Sequence, residues 1–231
     1  MSNSSAQDQA LPLSALMPPS GEGLRDYIAA RLDPLDLRRP LPDYRSDLDL
    51  NPDIALTSEA EGYQPAAVLI GLVQRREGLN VLLTRRTDTL RRHAGQIAFP
   101  GGRGEAGEAA WQTALREACE EIGLTAEQVR LTGLSTPFRL RTGYDVTPVV
   151  GFVDGGFQPT PSPAEVAEVF EAPFAFLMDP ANHERRLRDM PGGPRFHYAI
   201  TWKDHVIWGA TAAMLKALYD RLWGPPVGTA A

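Results

Sequence analysis

The chain has 231 residues, of which 43% are apolar, and its 23 basic and 29 acidic side chains leave a net charge of −6. That length suits one domain in which roughly 70–75% of the unfolded surface is buried, and an ordinary apolar share excludes disorder as a class. No apolar run approaches the roughly 20 residues of a membrane-spanning helix, and an acidic balance argues against general nucleic-acid affinity. Neither membrane nor nucleic acid is therefore expected as a partner. Met1-Ser2-Asn3-Ser4-Ser5 has no basic stretch ahead of an apolar one, so no secretory signal is read there. Cys119 is the single cysteine and has no disulfide partner within the chain, which fits a reducing compartment. A cytoplasmic location is the expectation.

In chain order, residues 1–60 read as an N-terminal extension, partly flexible, with a short helix over Gly23–Leu32 and a Pro- and Asp-rich loop over Asp33–Asp53. A disordered tail, a dimer arm and a lid are all open for this extension. The main domain spans residues 61–224, and 225–231 is a flexible tail. Within the domain, Ala66–Val73 and Leu79–Thr84 are apolar runs joined by Glu77-Gly78, the pattern of a hairpin. Gln96–Phe99 is a third short strand, ended by Pro100-Gly101-Gly102. A helical pattern runs from Glu108 to Ile122 and stops at Gly123, a favourable C-terminal glycine. Strands follow over Val129–Ser135, Val146–Val153, Arg195–Trp202 and His205–Ile207. Val166–Leu177 holds a strand and then a short helix. A closing helix, Thr211–Leu222, turns Ala212, Leu215, Leu218 and Leu222 inward. Uneven alternation of strands and helices predicts a mixed sheet between helical layers.

On a helix turning about 100° per residue, Trp111, Leu115, Ala118, Cys119 and Ile122 share one side and Glu117, Glu120 and Glu121 the other. The first side predicts a core face with Cys119 as a buried structural thiol. Three acids at i, i+3 and i+4 repel one another by a few tenths of a kcal/mol per pair unless a counter-charge sits among them. Hard oxygen donors favour Mg²⁺ or Mn²⁺. A solvated acidic face is the plainer alternative, and the frame of the helix decides against it.

From Gly102 to Leu124 the chain reads GRGEAGEAAWQTALREACEEIGL. This resembles the Nudix box, G-x5-E-x7-R-E-U-x-E-E-x-G-U, with matches at Gly102, Glu108, Arg116, Glu117, Glu120, Glu121, Gly123 and Leu124. Ala118 departs from it, being smaller than the usual bulky aliphatic residue. The resemblance implies an α/β fold, the Nudix-type α/β/α sandwich with a mixed β-sheet, and metal-dependent hydrolysis of a diphosphate. It implies Glu117, Glu120 and Glu121 as metal ligands, with Glu108 helping to hold the box through Arg116. Arg116, one turn ahead of Glu120, is placed to steady the acids. The proton acceptor is expected to be Glu120 or Glu121, with Glu165 and Glu168 in reserve. Glu121→Gln is expected to abolish turnover without affecting folding, because that face is read as solvent-directed.

The segment Leu82–Gly102, LLTRRTDTLRRHAGQIAFPGG, resembles the signature L-L-T-x-R-[ST]-x-x-L-R-x-H-x-G-x-[IV]-x-F-P-G-G of the coenzyme A diphosphatase branch of that family. Arg86, Arg91 and His93, with Gly101 and Gly102, are the substrate-binding residues this implies. Arg86, Arg91, Arg92 and His93 also form the densest basic cluster in an acidic chain. A guanidinium fork suits phosphate oxygens, and coenzyme A carries a 3′-phosphate besides its diphosphate. The expected activity is cleavage of coenzyme A, or its acyl or oxidised forms, to 3′,5′-ADP and 4′-phosphopantetheine or its derivative. Another nucleoside diphosphate derivative, such as a nucleoside diphosphate-sugar or a dinucleoside polyphosphate, and a non-catalytic nucleotide-binding domain are the alternatives. Oligomeric state stays open, a homodimer included.

Overall fold

The computed structural model describes residues 22–36, 44–53, 62–88, 95–190 and 192–224. The apolar run around Leu69 becomes a long strand, β2, because its side chains alternate between two burial partners. Ala67, Leu69 and Val73 enter one core and Ile70 and Leu72 another, the two-residue period of a strand covered on both faces.

The elements are α1 (Glu22–Ala29), β1 (Arg45–Ser46), β2 (Gln64–Arg75), β3 (Gly78–Arg86), β4 (Ile97–Ala98), β5 (Gly101–Arg103) and α2 (Ala110–Ile122). After them come β6 (Val129–Leu134), β7 (Phe138–Leu140), β8 (Tyr144–Val153), β9 (Val166–Pro173), α3 (Phe174–Leu177), β10 (Glu184–Met190), β11 (Gly193–Trp202), β12 (His205–Trp208) and α4 (Ala210–Trp223). β1 to β9 form one mixed sheet. β2 runs parallel to β8 from Gln64↔Tyr144 to Val73↔Val153, and antiparallel to β3 and β5. β3 also pairs antiparallel with β9 and β4. β10, β11 and β12 make a separate antiparallel sheet.

The layering is α/β/α, as expected. α2 covers one face through Ala114, Ala118 and Ile122. The other face is covered by α4, through Leu215, Leu218 and Leu222, together with Leu24 and Ile28 of α1. Tyr27 Oη donates to the Leu222 carbonyl at 2.8 Å, tying α1 to α4. The inward residues expected for the last helix, Ala212, Leu215, Leu218 and Leu222, are all buried.

Several boundaries differ for local reasons. The hairpin turn is Arg76-Glu77, since Gly78 already pairs with Arg75. Gly101 and Gly102, read only as the end of the third strand, open a strand of their own, β5: they pair with Val68 and Ala67. The first helix begins and ends earlier than read, at Glu22 and Ala29. In the Asp33–Asp53 stretch, read as loop, Asp33 bridges Leu134 and β1 runs parallel to β7. β10, unread from sequence, is Glu-Arg-Arg-Leu-Arg-Asp-Met and buries none of these residues, so no apolar alternation marks it.

Gly101 fixes how closely β5 approaches β2. A Cβ there would press on the Ala67 carbonyl and lie 2.6 Å from Val68 Cα. Gly101→Ala should lower the unfolding free energy by about 1–3 kcal/mol, the usual cost of overpacking, as measured by urea denaturation.

Candidate active site

α2 starts where Gln112 reaches back to accept the Ala109 N–H at 2.8 Å, satisfying one of the helix's orphan donors. It ends on Gly123, at φ 71°, whose N–H bonds the Cys119 carbonyl at 3.0 Å. Two further end carbonyls are taken by the next loop: Thr160 N–H bonds Ile122 O at 2.9 Å and Ser162 N–H bonds Glu121 O at 2.8 Å. That loop leads to Glu165, whose carbonyl accepts the Thr87 N–H at 3.0 Å. Helix, loop and the end of β3 are thereby stitched around one place.

Arg116 organises the acids. Its Nε and Nη2 bond the two carboxylate oxygens of Glu108 at 2.9 and 3.1 Å. Nη1 bonds Glu117 at 2.8 Å and lies 3.4 Å from Glu120, and Nη2 also reaches the Arg103 carbonyl at 2.9 Å. The role expected of Glu108, holding the box through the arginine, is the geometry observed. Glu108 further accepts from Glu105 N–H at 2.9 Å and from Thr113 Oγ1 at 2.8 Å. Arg116 first, then these donors, pull its pKa down to about 2. The same bonds, to Glu108 and then Glu117, hold Arg116 well above the ordinary arginine range. The Thr113 hydroxyl and Arg103 carbonyl were not read from sequence. Thr113, a polar residue on the inward side of α2, was the available signal.

The three box glutamates are not equivalent. Glu120 is 60% exposed, Glu117 15% and Glu121 only 4%. The reading of one solvent-directed acidic face is therefore corrected, and with it the expectation that Glu121 is neutral to folding. The buried residues of α2 are Thr113, Ala114, Ala118, Glu121 and Ile122, an arc turned toward the acids by roughly 75° from the one expected. The same turn carries Cys119 out to solvent, correcting its assignment as a buried thiol. Small Ala114 and Ala118 let α2 lie against β2 and β5, so the contact centres on them and draws Glu121 in.

Glu121 accepts the Gly101 N–H at 3.3 Å and has Arg86 Nη1 at 3.8 Å. Burial raises its pKa to about 7. Gly101 and Arg86 oppose the shift, while Glu117 and Glu165 add to it. Burial likewise raises Glu117, Arg116 opposes, and Glu120 and Glu165 add. Gly102 makes room for Glu117: a Cβ there would lie 2.5 Å from its carboxylate. Glu165 thus sits in the field of both acids. Glu168 turns away instead, bonded to Arg85 Nε at 3.2 Å and to His205 Nε2 at 3.2 Å. Arg86 Nε is buried without a hydrogen-bond partner, a costly state for a cationic donor. Arg91, Arg92 and His93 lie outside the described residues.

Glu108, Glu117 and Glu120 thus face the Arg116 guanidinium and Glu121 faces that of Arg86, with the charge of Glu165 acting on Glu117 and Glu121. The excess negative charge and all-oxygen donor set fit a hard divalent cation. As they stand, no three acidic, histidine or cysteine side chains among the described residues converge closely enough to hold one ion. Arg116 occupies oxygens of Glu117 and Glu120.

A model of the NUDIX domain matches residues 62–190. The chain belongs to the NUDIX family. An uncharacterized Nudix hydrolase, NudL, of Photorhabdus laumondii is 37% identical over 158 residues, covering 68% of this chain and 84% of its own. NudL of Citrobacter koseri is 38% identical over 171 residues, covering 71% and 85%. Among solved structures, the Nudix hydrolase RenU of M. smegmatis is 26% identical, with a TM-score of 0.42 over 49% of this chain and 72% of its own. The matched stretch contains the acids gathered around Arg116.

The raised pKa of Glu121 has a consequence for stability. Its folded value, about 7, lies above the ordinary glutamate value near 4.5 expected of the unfolded chain. The contribution of this group is fully present below about pH 4.5 and is lost as pH rises through about 7. In metal-free protein Glu121→Gln should therefore exceed the wild type in stability at pH 8, by about 3 kcal/mol at most. The gap should close by pH 4.5 in urea titrations across that range.

Proposed function

We propose that this Nudix hydrolase cleaves the diphosphate of coenzyme A, or its acyl or oxidised forms, to 3′,5′-ADP and 4′-phosphopantetheine or its derivative. Water adds its oxygen to one phosphorus and the bridging P–O bond breaks. The departing phosphate keeps the bridging oxygen. The observation that carries the reaction class is the buried Glu121 carboxylate, with the Gly101 N–H and Arg86 beside it and Glu117 close enough to raise its pKa. The substrate reading rests on the Leu82–Gly102 resemblance and on Arg86, whose buried Nε is unpartnered and suits a phosphate oxygen.

Glu117, Glu120 and Glu121 are the residues that would hold Mg²⁺ or Mn²⁺. When bound, such an ion withdraws charge from diphosphate oxygens and acidifies a water. Glu121 and Glu120 are the two candidates for the group that takes the proton of the attacking water. Arg116 keeps Glu117 and Glu120 in place. Gly101 and Gly102 let the backbone and the acids approach one another closely. Arg86, Arg91 and His93 are assigned to the substrate phosphates.

Purified chain with Mg²⁺ or Mn²⁺ and coenzyme A should release 3′,5′-ADP, identified by mass. Dephospho-coenzyme A should be turned over at least about tenfold less efficiently, since one charged hydrogen bond is worth about 1.5–3 kcal/mol. Equal turnover of the two, or activity confined to nucleoside diphosphate-sugars or dinucleoside polyphosphates, would point to another nucleoside diphosphate substrate. Glu117→Gln and Glu121→Gln should each cost about 10²–10⁴ in kcat, and Arg86→Ala should act mainly through KM.

A further inference from the structure

Among the described residues five large apolar side chains are exposed: Tyr44, Leu187, Met190, Phe196 and Val206. All but Tyr44 belong to the small β10–β11–β12 sheet. Leu187, 59% exposed, is the cross-strand partner of Phe196, 38% exposed, so the two lie on one face, with the Arg185 guanidinium 3.7 Å over the Phe196 ring. β10 is the outer strand of that sheet, with no strand beyond it among the described residues.

The hydrogen-bonding parity of β10 follows from its neighbour. Phe196 N–H and C=O both bond the Asn51 side chain, at 2.8 and 2.9 Å, and Tyr198 O accepts from Gly209 N–H at 3.1 Å. Even-numbered residues of β11 therefore direct their backbone groups away from β10. Their partners Arg185, Leu187 and Asp189 then sit in non-hydrogen-bonded pairs, with their own N–H and C=O groups directed at the open edge.

We propose that this edge is the contact between two copies of the chain, paired antiparallel about a two-fold axis at Leu187. In that register Leu187 meets Leu187 of the second copy, Arg185 meets its Asp189, and Asp189 meets its Arg185. All three pairs use the outward backbone groups, as an isologous contact requires. Phe196 and Leu187 of one copy and the same two residues of the other form an unbroken apolar row across four strands. Arg186 and Arg188 oppose each other on the other face, but each is held over its own sheet. Arg186 bonds Glu184 and Thr201 at 2.8 and 2.9 Å, and Arg188 stacks 4.4 Å over Trp208. On the Leu187 face the strand is thus complementary to itself in charge, through Arg185 and Asp189, and in apolar contact.

Light scattering and sedimentation of the full-length chain at micromolar concentration should give twice the mass of one chain. Arg185→Asp and Asp189→Arg each place two like-charge contacts in the interface and should raise the dimer dissociation constant about tenfold or more. Arg185→Asp combined with Asp189→Arg should restore the dimer. Circular dichroism melts report whether each variant is folded. The Leu187 amide should be protected from hydrogen exchange in the wild type and exchange freely in the single variants. A monomeric wild type, a dimer indifferent to both reversals, or a folded double variant that stays monomeric would overturn the proposal. None of these residues belongs to the catalytic constellation, so the result is independent of which diphosphate is hydrolysed.

Discussion

Crowding carboxylates into one place is unfavourable, and the guanidinium of Arg116 is what makes it tolerable here. Its planar fork bonds Glu108 just before α2, Glu117 next to it on the helix, and the Arg103 carbonyl of β5, with Glu120 within 3.4 Å. One cation therefore sets the distance between helix and strand and the orientation of two acids. Bidentate pairing gives direction as well as strength. Gly102 complements it by leaving the Glu117 carboxylate space that any side chain would fill. Glu121 lies beyond the reach of Arg116 and is held by a backbone N–H and by the more distant Arg86. Burial raises the pKa of Glu121, and these two partners only oppose the shift.

Much of this was legible in the residues themselves. The spacing of Glu108, Arg116, Glu117, Glu120 and Glu121 identified both the helix and its partners, because a helix converts sequence spacing into distance with little help from the rest of the fold. The Glu108–Arg116 and Arg116–Glu120 contacts came out as read. The depth of each acid was not legible. A helical wheel gives angles between side chains, while the buried arc depends on what the helix meets. Two alanines let α2 settle closer on one flank, which took Glu121 inward and Cys119 outward. β10 was missed for the opposite reason: a strand that buries nothing has no apolar period. Glu168 was read with Glu165 as a reserve proton acceptor, yet β9 directs it to Arg85 and His205 instead.

The N-terminal region shows a similar gap between pattern and packing. Proline and aspartate suggested a loop, and the local conformation is indeed irregular. Even so, Ser46 and Asp47 settle against β7 and its following turn, Asp47 Oδ2 accepting the Arg141 N–H at 3.2 Å. Burial raises the pKa of Asp47, with that N–H opposing. Asn51 then completes the edge of β11 where β12 ends. An amide side chain, offering one donor and one acceptor, here replaces a strand residue.

The contacts of α1 carry a consequence for where the folding unit begins. Leu24 and Ile28 are interior residues of the core under α4, and Tyr27 is bonded to the last turn of that helix. The stretch that the NUDIX domain model matches, residues 62–190, contains neither helix. Cut to those limits, the polypeptide would keep its catalytic face intact and leave the opposite face of the sheet bare. The segment that defines the chemistry and the segment that can stand alone in water are different lengths of the same chain.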